Sequence, residues 1–144
     1  MIKEEIKRKN IDLLVEEFWK LGYLTVSRKL GTYLPEPQNV GKYSVDVIAR
    51  YNKNFAIGLI LNDENTKRKD LIEMINFLAT RKTRFTNKTV ILFLGVVPNQ
   101  YQKLRILLSS LDESIRKNIK LFNISEKQIS TRHLSKQQTR LFVS

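Results

Sequence analysis

Residues 41–63, GKYSVDVIARYNKNFAIGLILND, carry the sequence that predicts the fold, because they form two strand patterns joined by a tight turn. The first strand is predicted over 43–51, where β-branched and aromatic residues dominate, and the second over 55–61. Asn52 and Lys53 supply the turn between them. The second strand contains no polar side chain, which is typical of a strand covered on both faces. The hairpin is therefore predicted to lie at the centre of a sheet.

The segments around the hairpin alternate between helical and strand patterns. Before it, the sequence predicts a helix over 2–21, a strand over 23–30 and a loop over 31–42. After it, the sequence predicts a helix over 66–82, a strand over 88–97, a helix from Pro98 and a strand over 119–124. The order α-β-β-β-α-β-α-β predicts an α/β fold with three layers, α/β/α, around a mixed central sheet.

The length of 144 residues suits a single domain, and no internal repeat or linker interrupts it. We predict a core domain over 1–124 and a basic C-terminal tail over 125–144 that packs on the core or on a partner. The tail is rich in basic side chains and ends in the apolar residues Leu141, Phe142 and Val143.

Several classes of protein are excluded by composition. Cysteine is absent, so disulfides and thiolate metal sites are excluded. The apolar runs are too short to span a bilayer, and residues 1–10 lack the apolar core of a signal peptide. These features predict a cytoplasmic protein with no membrane partner. No glycine-rich phosphate-binding motif is present, so we predict no small-molecule cofactor.

The sequence is strongly basic, with 26 lysines and arginines against 14 acids and a net charge of +12. Such an excess attracts polyanions over long distances and predicts a nucleic-acid partner. The alternative is that the charge only aids solubility and that the basic residues form a solvated rim. A homodimer or another protein partner is left open. The candidate nucleic-acid-binding residues are Arg28, Lys29, Lys42, Lys67, Arg68, Lys69, Arg81 and Arg84.

The element order and the stretch SVDVIA at 44–49, followed by a buried strand, resemble the PD-(D/E)xK restriction-endonuclease-like superfamily, including archaeal Holliday-junction resolvases. The resemblance covers about residues 5–110 and places Asp46 at the first aspartate of the motif. It implies a nuclease site in which two or three carboxylates hold Mg²⁺ or Mn²⁺. Such an ion lowers the pKa of the attacking water and neutralises charge on the scissile phosphate.

The second half of this motif is absent from the chain. The resemblance places the second acid at Gly58 and the lysine at Ile60, and a shift by one or two residues still meets only apolar side chains. Asp63 and Glu64 follow the strand, but Asp63 lies about 13–17 Å further along it than the position opposite Asp46, which is too far to share an ion. We therefore predict a catalytically inactive domain that binds nucleic acid or serves as an accessory module, with no cofactor.

Two alternatives to an inactive module are kept. The first is a divergent nuclease in which Asp46 and a relocated acid, Glu36 or Glu16, hold Mg²⁺ or Mn²⁺. The second is a protein-interaction or structural scaffold. If no metal is bound, Asp46 is predicted to be a buried acid bonded to a lysine, an arginine or a backbone group, because an unpaired charge in a sheet is costly.

Two further residues carry packing predictions. Gly58 either relieves crowding against the first helix or allows close approach of a partner's backbone. Trp19 is predicted to contact the sheet from the first helix.

Overall fold

The computed structural model describes residues 2–84 and 86–124, so the predicted tail over 125–144 lies outside the described residues. The strands are β1 (Leu24–Arg28), β2 (Val47–Tyr51), β3 (Asn54–Leu61), β4 (Ile91–Val96) and β5 (Ile119–Asn123). The helices are α1 (Ile2–Lys20), α2 (Leu71–Ala79), α3 (Pro98–Leu108) and α4 (Glu113–Arg116), with a 3₁₀ helix at Asn65–Lys67. None of the described helices is long and apolar enough to cross a membrane.

The five strands form one mixed sheet in the order β1-β2-β3-β4-β5. The first three strands are antiparallel neighbours, whereas β3, β4 and β5 run parallel. The predicted hairpin turn is confirmed, because Tyr51 pairs with Asn54 and Asn52 adopts the left-handed conformation with φ of 55°. The α/β class and the mixed sheet are therefore confirmed.

Helices cover both faces of the sheet, and each face has its own apolar cluster. On one face, buried side chains of α1 pack on β2, β3 and β4; these are Ile11, Leu13, Leu14 and Phe18. On the other face, α2 and α3 supply a second set; these are Leu71, Met74, Ile75, Leu78, Leu104 and Leu108. The arrangement is compatible with three layers, and it buries β3 as its apolar sequence predicts.

Two predicted boundaries are wrong for local reasons. The predicted helix over 66–82 is split, because the side chains of Asn62 and Asn65 accept each other's backbone N–H and favour a 3₁₀ turn before α2. The predicted strand over 43–51 begins only at Val47, since Val40 and Tyr43 bond to each other instead. The short helix α4 was not predicted.

Gly58 lies where β3 passes closest to α1. A Cβ atom at this position would lie 2.7 Å from Leu14 Cδ2 and 2.9 Å from Phe18 Cε2. Both of those side chains are fully buried, so neither has space to move aside. The structure therefore supports the first interpretation of Gly58, relief of crowding against the helix.

Trp19 does not contact the sheet as predicted, because 67% of it is exposed. It follows Phe18, which is buried, and one step along a helix turns the side chain by about 100°. The single tryptophan therefore faces solvent while the neighbouring phenylalanine fills the core.

Candidate functional site

A cleft of about 600 Å³ opens where β3 and the parallel strand β4 end. Its floor includes Leu59, Ile60 and Leu61 at the end of β3, and Val97 just after β4. The carboxyl ends of parallel strands are a common place for ligands, because the loops diverge there and leave a crevice. Asp46, which the resemblance places at the first aspartate of the motif, also lines this cleft.

One wall of the cleft is the first part of α1. Lys3, Ile6, Lys7 and Asn10 line it, and their spacing places them along one stripe of the helix. Residues 3–9 are exposed and burial begins at Asn10, so the first two turns extend beyond the core. We call residues 3–9 the α1 overhang. It brings two cations to a cleft whose floor is apolar.

Asp46 is 4% exposed and is held by the backbone of β3. Its own N–H donates to the carbonyl oxygen of Gly58 at 3.0 Å, and its Oδ2 accepts the N–H of Ile60 at 2.8 Å. Asp46 therefore contacts both strand positions at which the resemblance places the second acid and the lysine, Gly58 through its backbone N–H and Ile60 through its carboxylate. The backbone groups of an apolar strand take the place of those side chains.

The other carboxylate oxygen of Asp46 faces two lysines. Lys29 Nζ lies 3.7 Å and Lys7 Nζ 3.8 Å from Oδ1. Lys29 also hydrogen-bonds the hydroxyl of Ser44. Asp46 is thus a buried acid paired with lysines and a backbone group, as predicted for an acid that holds no metal. Sequence reasoning selected Lys29 but missed Lys7, because a lysine in a charged helix looks like part of a solvated face.

The structure does not bring the predicted acids together. Glu36 is exposed in the loop between β1 and β2, and Glu16 lies roughly 14 Å along the α1 axis from Lys7. Neither of them lines the cleft. Asp63 does line it, but its Oδ1 accepts hydrogen bonds from the side chains of Asn99 and Gln100, at 2.8 and 2.9 Å. Within residues 2–84 and 86–124, no three His, Cys, Asp or Glu side chains group closely enough to hold a metal ion.

Two of the predicted nucleic-acid-binding arginines have structural roles. Arg28 forms an ion pair with Asp12 at 2.8 Å and its side chain is only 14% exposed. Arg81 donates from Nε to the carbonyl oxygen of Phe77 near the end of α2, at 2.8 Å. Of the other predicted residues, Lys29 and Arg68 line the cleft, whereas Lys67, Lys69 and Arg84 are exposed outside it.

A cationic ridge begins at the cleft and extends along the neighbouring surface. It consists of Lys42, Arg68 and Arg81 with the rings of Tyr43 and Phe77. Lys42 Nζ lies 5.4 Å and Arg68 Cζ 5.9 Å from the centre of the Tyr43 ring. The two rings are 5.3 Å apart, and Arg81 Cζ lies 3.8 Å from the Phe77 ring. Contacts with the rings therefore gather three cations that are far apart in the sequence.

Arg68 is held in place by a carboxylate. Its Nε and one terminal nitrogen donate to the two oxygens of Asp70, at 2.9 and 3.0 Å. These hydrogen bonds raise the pKa of Arg68 and lower the pKa of Asp70. Both groups therefore stay ionised at neutral pH, and the guanidinium has a fixed orientation at the mouth of the cleft.

Replacing Asp46 with alanine is expected to cost about 2 kcal/mol of stability, because the buried N–H of Ile60 loses its acceptor. Asp46→Asn should cost less than Asp46→Ala, since the amide oxygen can accept the same hydrogen bond and only the ion pairs with the lysines are lost. Urea unfolding of both variants checks this. Equal losses in the two variants would contradict the assigned role of the hydrogen bond.

Comparison with known proteins does not identify a family. No protein-family model matches the chain, and no curated protein or solved structure matches it significantly.

Proposed function

We propose that the chain is a restriction-endonuclease-like domain that has lost metal-dependent catalysis and binds nucleic acid. The topology supports the first part of this proposal. The resemblance implies an opening helix, an antiparallel meander and a crossover to a parallel strand, and α1, β1–β3, α2 and β4 follow this order. Asp46, at the first motif position, precedes β2 and lines the cleft.

The environment of Asp46 is the observation that best supports the proposed loss of catalysis. Mg²⁺ requires several oxygen ligands and tolerates little distortion of its octahedral geometry. Here one carboxylate oxygen is bonded to the Ile60 N–H, and the other already has two ammonium groups within 4 Å. A divalent ion would have to displace both lysines, or lie beside them and be repelled.

The cationic ridge supports binding of nucleic acid. Lysine and arginine contacts to phosphates provide most of the non-specific affinity for nucleic acids. The ridge presents Lys42 and Arg68 for such contacts, on a chain with net charge +12. Tyr43 is only 4% exposed, so the ridge is suited to contacting phosphates rather than stacking on bases.

Binding to labelled single-stranded, duplex and branched oligonucleotides should therefore occur in EDTA without Mg²⁺, and should fall steeply with salt. The double variant Lys42→Gln, Arg68→Gln is expected to reduce the slope of log affinity against log salt by about 1.5–2, since roughly one counterion is released per phosphate contact. Fluorescence anisotropy from about 50 to 200 mM salt measures both quantities. Lys53→Gln is the matched control, because Lys53 is exposed at the β2–β3 turn, at the opposite end of β3 from the cleft.

Two outcomes would contradict this function. Cleavage that requires Mn²⁺ and is lost in Asp46→Asn would identify a divergent nuclease. Absence of binding even at about 50 mM salt would leave the scaffold hypothesis.

A further inference from the structure

We propose that the cleft binds a phosphomonoester without a metal, with the ammonium groups of Lys7 and Lys29 in the place that a divalent ion would take. The monoester is the terminal phosphate of a nucleic-acid strand or of a free nucleotide. This inference rests on the proposed function and adds a ligand to the same cleft.

The two ammonium groups keep hydrogen-bond donors for a ligand. Their distances to Asp46 Oδ1, 3.8 Å for Lys7 and 3.7 Å for Lys29, are those of ion pairs and exceed hydrogen-bond length. Each ammonium has three N–H donors, and Lys29 uses one of them on Ser44. The Lys7 side chain is 45% exposed and lines the cleft, so an entering anion can reach it.

Asp46 positions this pair but opposes the anion. With its Oδ2 fixed on the Ile60 N–H, its Oδ1 attracts both lysines to one place. Two ammonium groups and one carboxylate leave a net charge of +1 at the inner end of the cleft, partly shielded from water. A phosphate would gain from the two cations and would be repelled by the one anion. A bound phosphate would itself hold the two ammonium groups together, so removing the charge of Asp46 should strengthen binding, whereas it would abolish binding that depends on a metal.

The rim of the cleft selects a single phosphate over a continuous backbone. Asp63 and Glu64 lie at the rim beside Lys3 and Arg68, and Lys3 pairs with Glu64 at 3.4 Å. A strand that continued across the mouth would bring further phosphates next to these two carboxylates. A volume of about 600 Å³ falls in the range of small-molecule pockets and suits one nucleotide rather than a duplex.

The test compares one 12-nucleotide single strand with a 5′-phosphate, a 3′-phosphate or hydroxyl ends, in EDTA. We expect a phosphorylated end to increase affinity about tenfold, which corresponds to about one hydrogen bond between charged groups. Lys7→Met and Lys29→Met should each remove most of this preference. Asp46→Asn should increase the preference about threefold or more, a gain that a misfolded protein cannot give.

Adenosine monophosphate is added as competitor to distinguish a strand end from a free nucleotide.

Lys53→Met is the matched control, and thermal unfolding checks that every variant is folded. Equal affinity for phosphate and hydroxyl ends would overturn the inference and leave nucleic-acid binding intact. Loss of binding to all three strands would instead overturn the proposed function. A preference that appears only with Mg²⁺ would show that a metal rather than the lysines holds the phosphate. Loss of the preference in Asp46→Asn would overturn the inference, because it predicts a gain. If adenosine monophosphate competes as strongly as the phosphorylated strand, the result would support the site and assign it to free nucleotides.

Discussion

Gly58→Glu, which places an acid where the resemblance puts the second carboxylate of the motif, is expected to destabilise the domain by about 5 kcal/mol or more and to give no nuclease activity. The new side chain would start 2.7 Å from Leu14 and 2.9 Å from Phe18, both fully buried. Overpacking costs about 1–3 kcal/mol, and a carboxylate buried without a partner costs several more. This sum is comparable to the whole stability of many domains.

Chemical denaturation measures the loss, and a nuclease assay with Mn²⁺ measures any gain. Gly58→Ala should lose about 1–3 kcal/mol, because it adds only the Cβ that meets α1. Asn54→Glu places the same side chain at the exposed start of the same strand and should change stability by less than about 0.5 kcal/mol. A folded Gly58→Glu protein that cleaves DNA would show that only one acid separates this cleft from an active nuclease.

Phe18→Ala is expected to cost about 3–5 kcal/mol, the usual range for removing a buried aromatic ring. The Phe18 ring is fully buried, with its centre 4.3 Å from that of Phe93 and 5.7 Å from that of Tyr23. It also packs on the bare backbone of Gly58. Its loss would leave a cavity between α1 and the middle of the sheet.

Trp19→Ala is the matched control for this variant, because it removes a larger ring one residue further along the same helix. With 67% of Trp19 exposed, its loss should change stability by less than about 0.5–1 kcal/mol. Thermal and urea unfolding of the two variants give the comparison. Similar losses in both would mean that α1 packs with a different face towards the sheet.

Much of the fold follows from local patterns in the sequence. The polar-free stretch over 55–61 and the turn at Asn52 predict the central hairpin because an apolar run and turn-forming residues can be recognised within a few neighbouring positions. The boundary between the 3₁₀ helix and α2 was missed for the opposite reason. It depends on paired hydrogen bonds between Asn62 and Asn65, which a search for apolar periodicity does not detect.

The site was predicted less completely than the fold. The kind of partner for Asp46 follows from the cost of burying a charge, so a lysine, an arginine or a backbone group could be expected. The particular lysine that pairs with Asp46 cannot be predicted from residue spacing in the sequence, since Lys7 reaches Asp46 only after α1 has packed across the sheet. Whether Glu16 or Glu36 lies near Asp46 also depends on packing, so the sequence left both acids as candidate ligands.

The α1 overhang links binding in the cleft to the stability of the first two turns of α1. Helix ends without buried contacts unwind and reform continually, and residues 3–9 have almost none of the core to hold them. Unwinding of this end would remove Lys3 and Lys7, which both line the cleft, together. An anion that bridges Lys7 to Lys29 would fasten this end to the sheet, so slower exchange of its amide protons would report a ligand that never touches them.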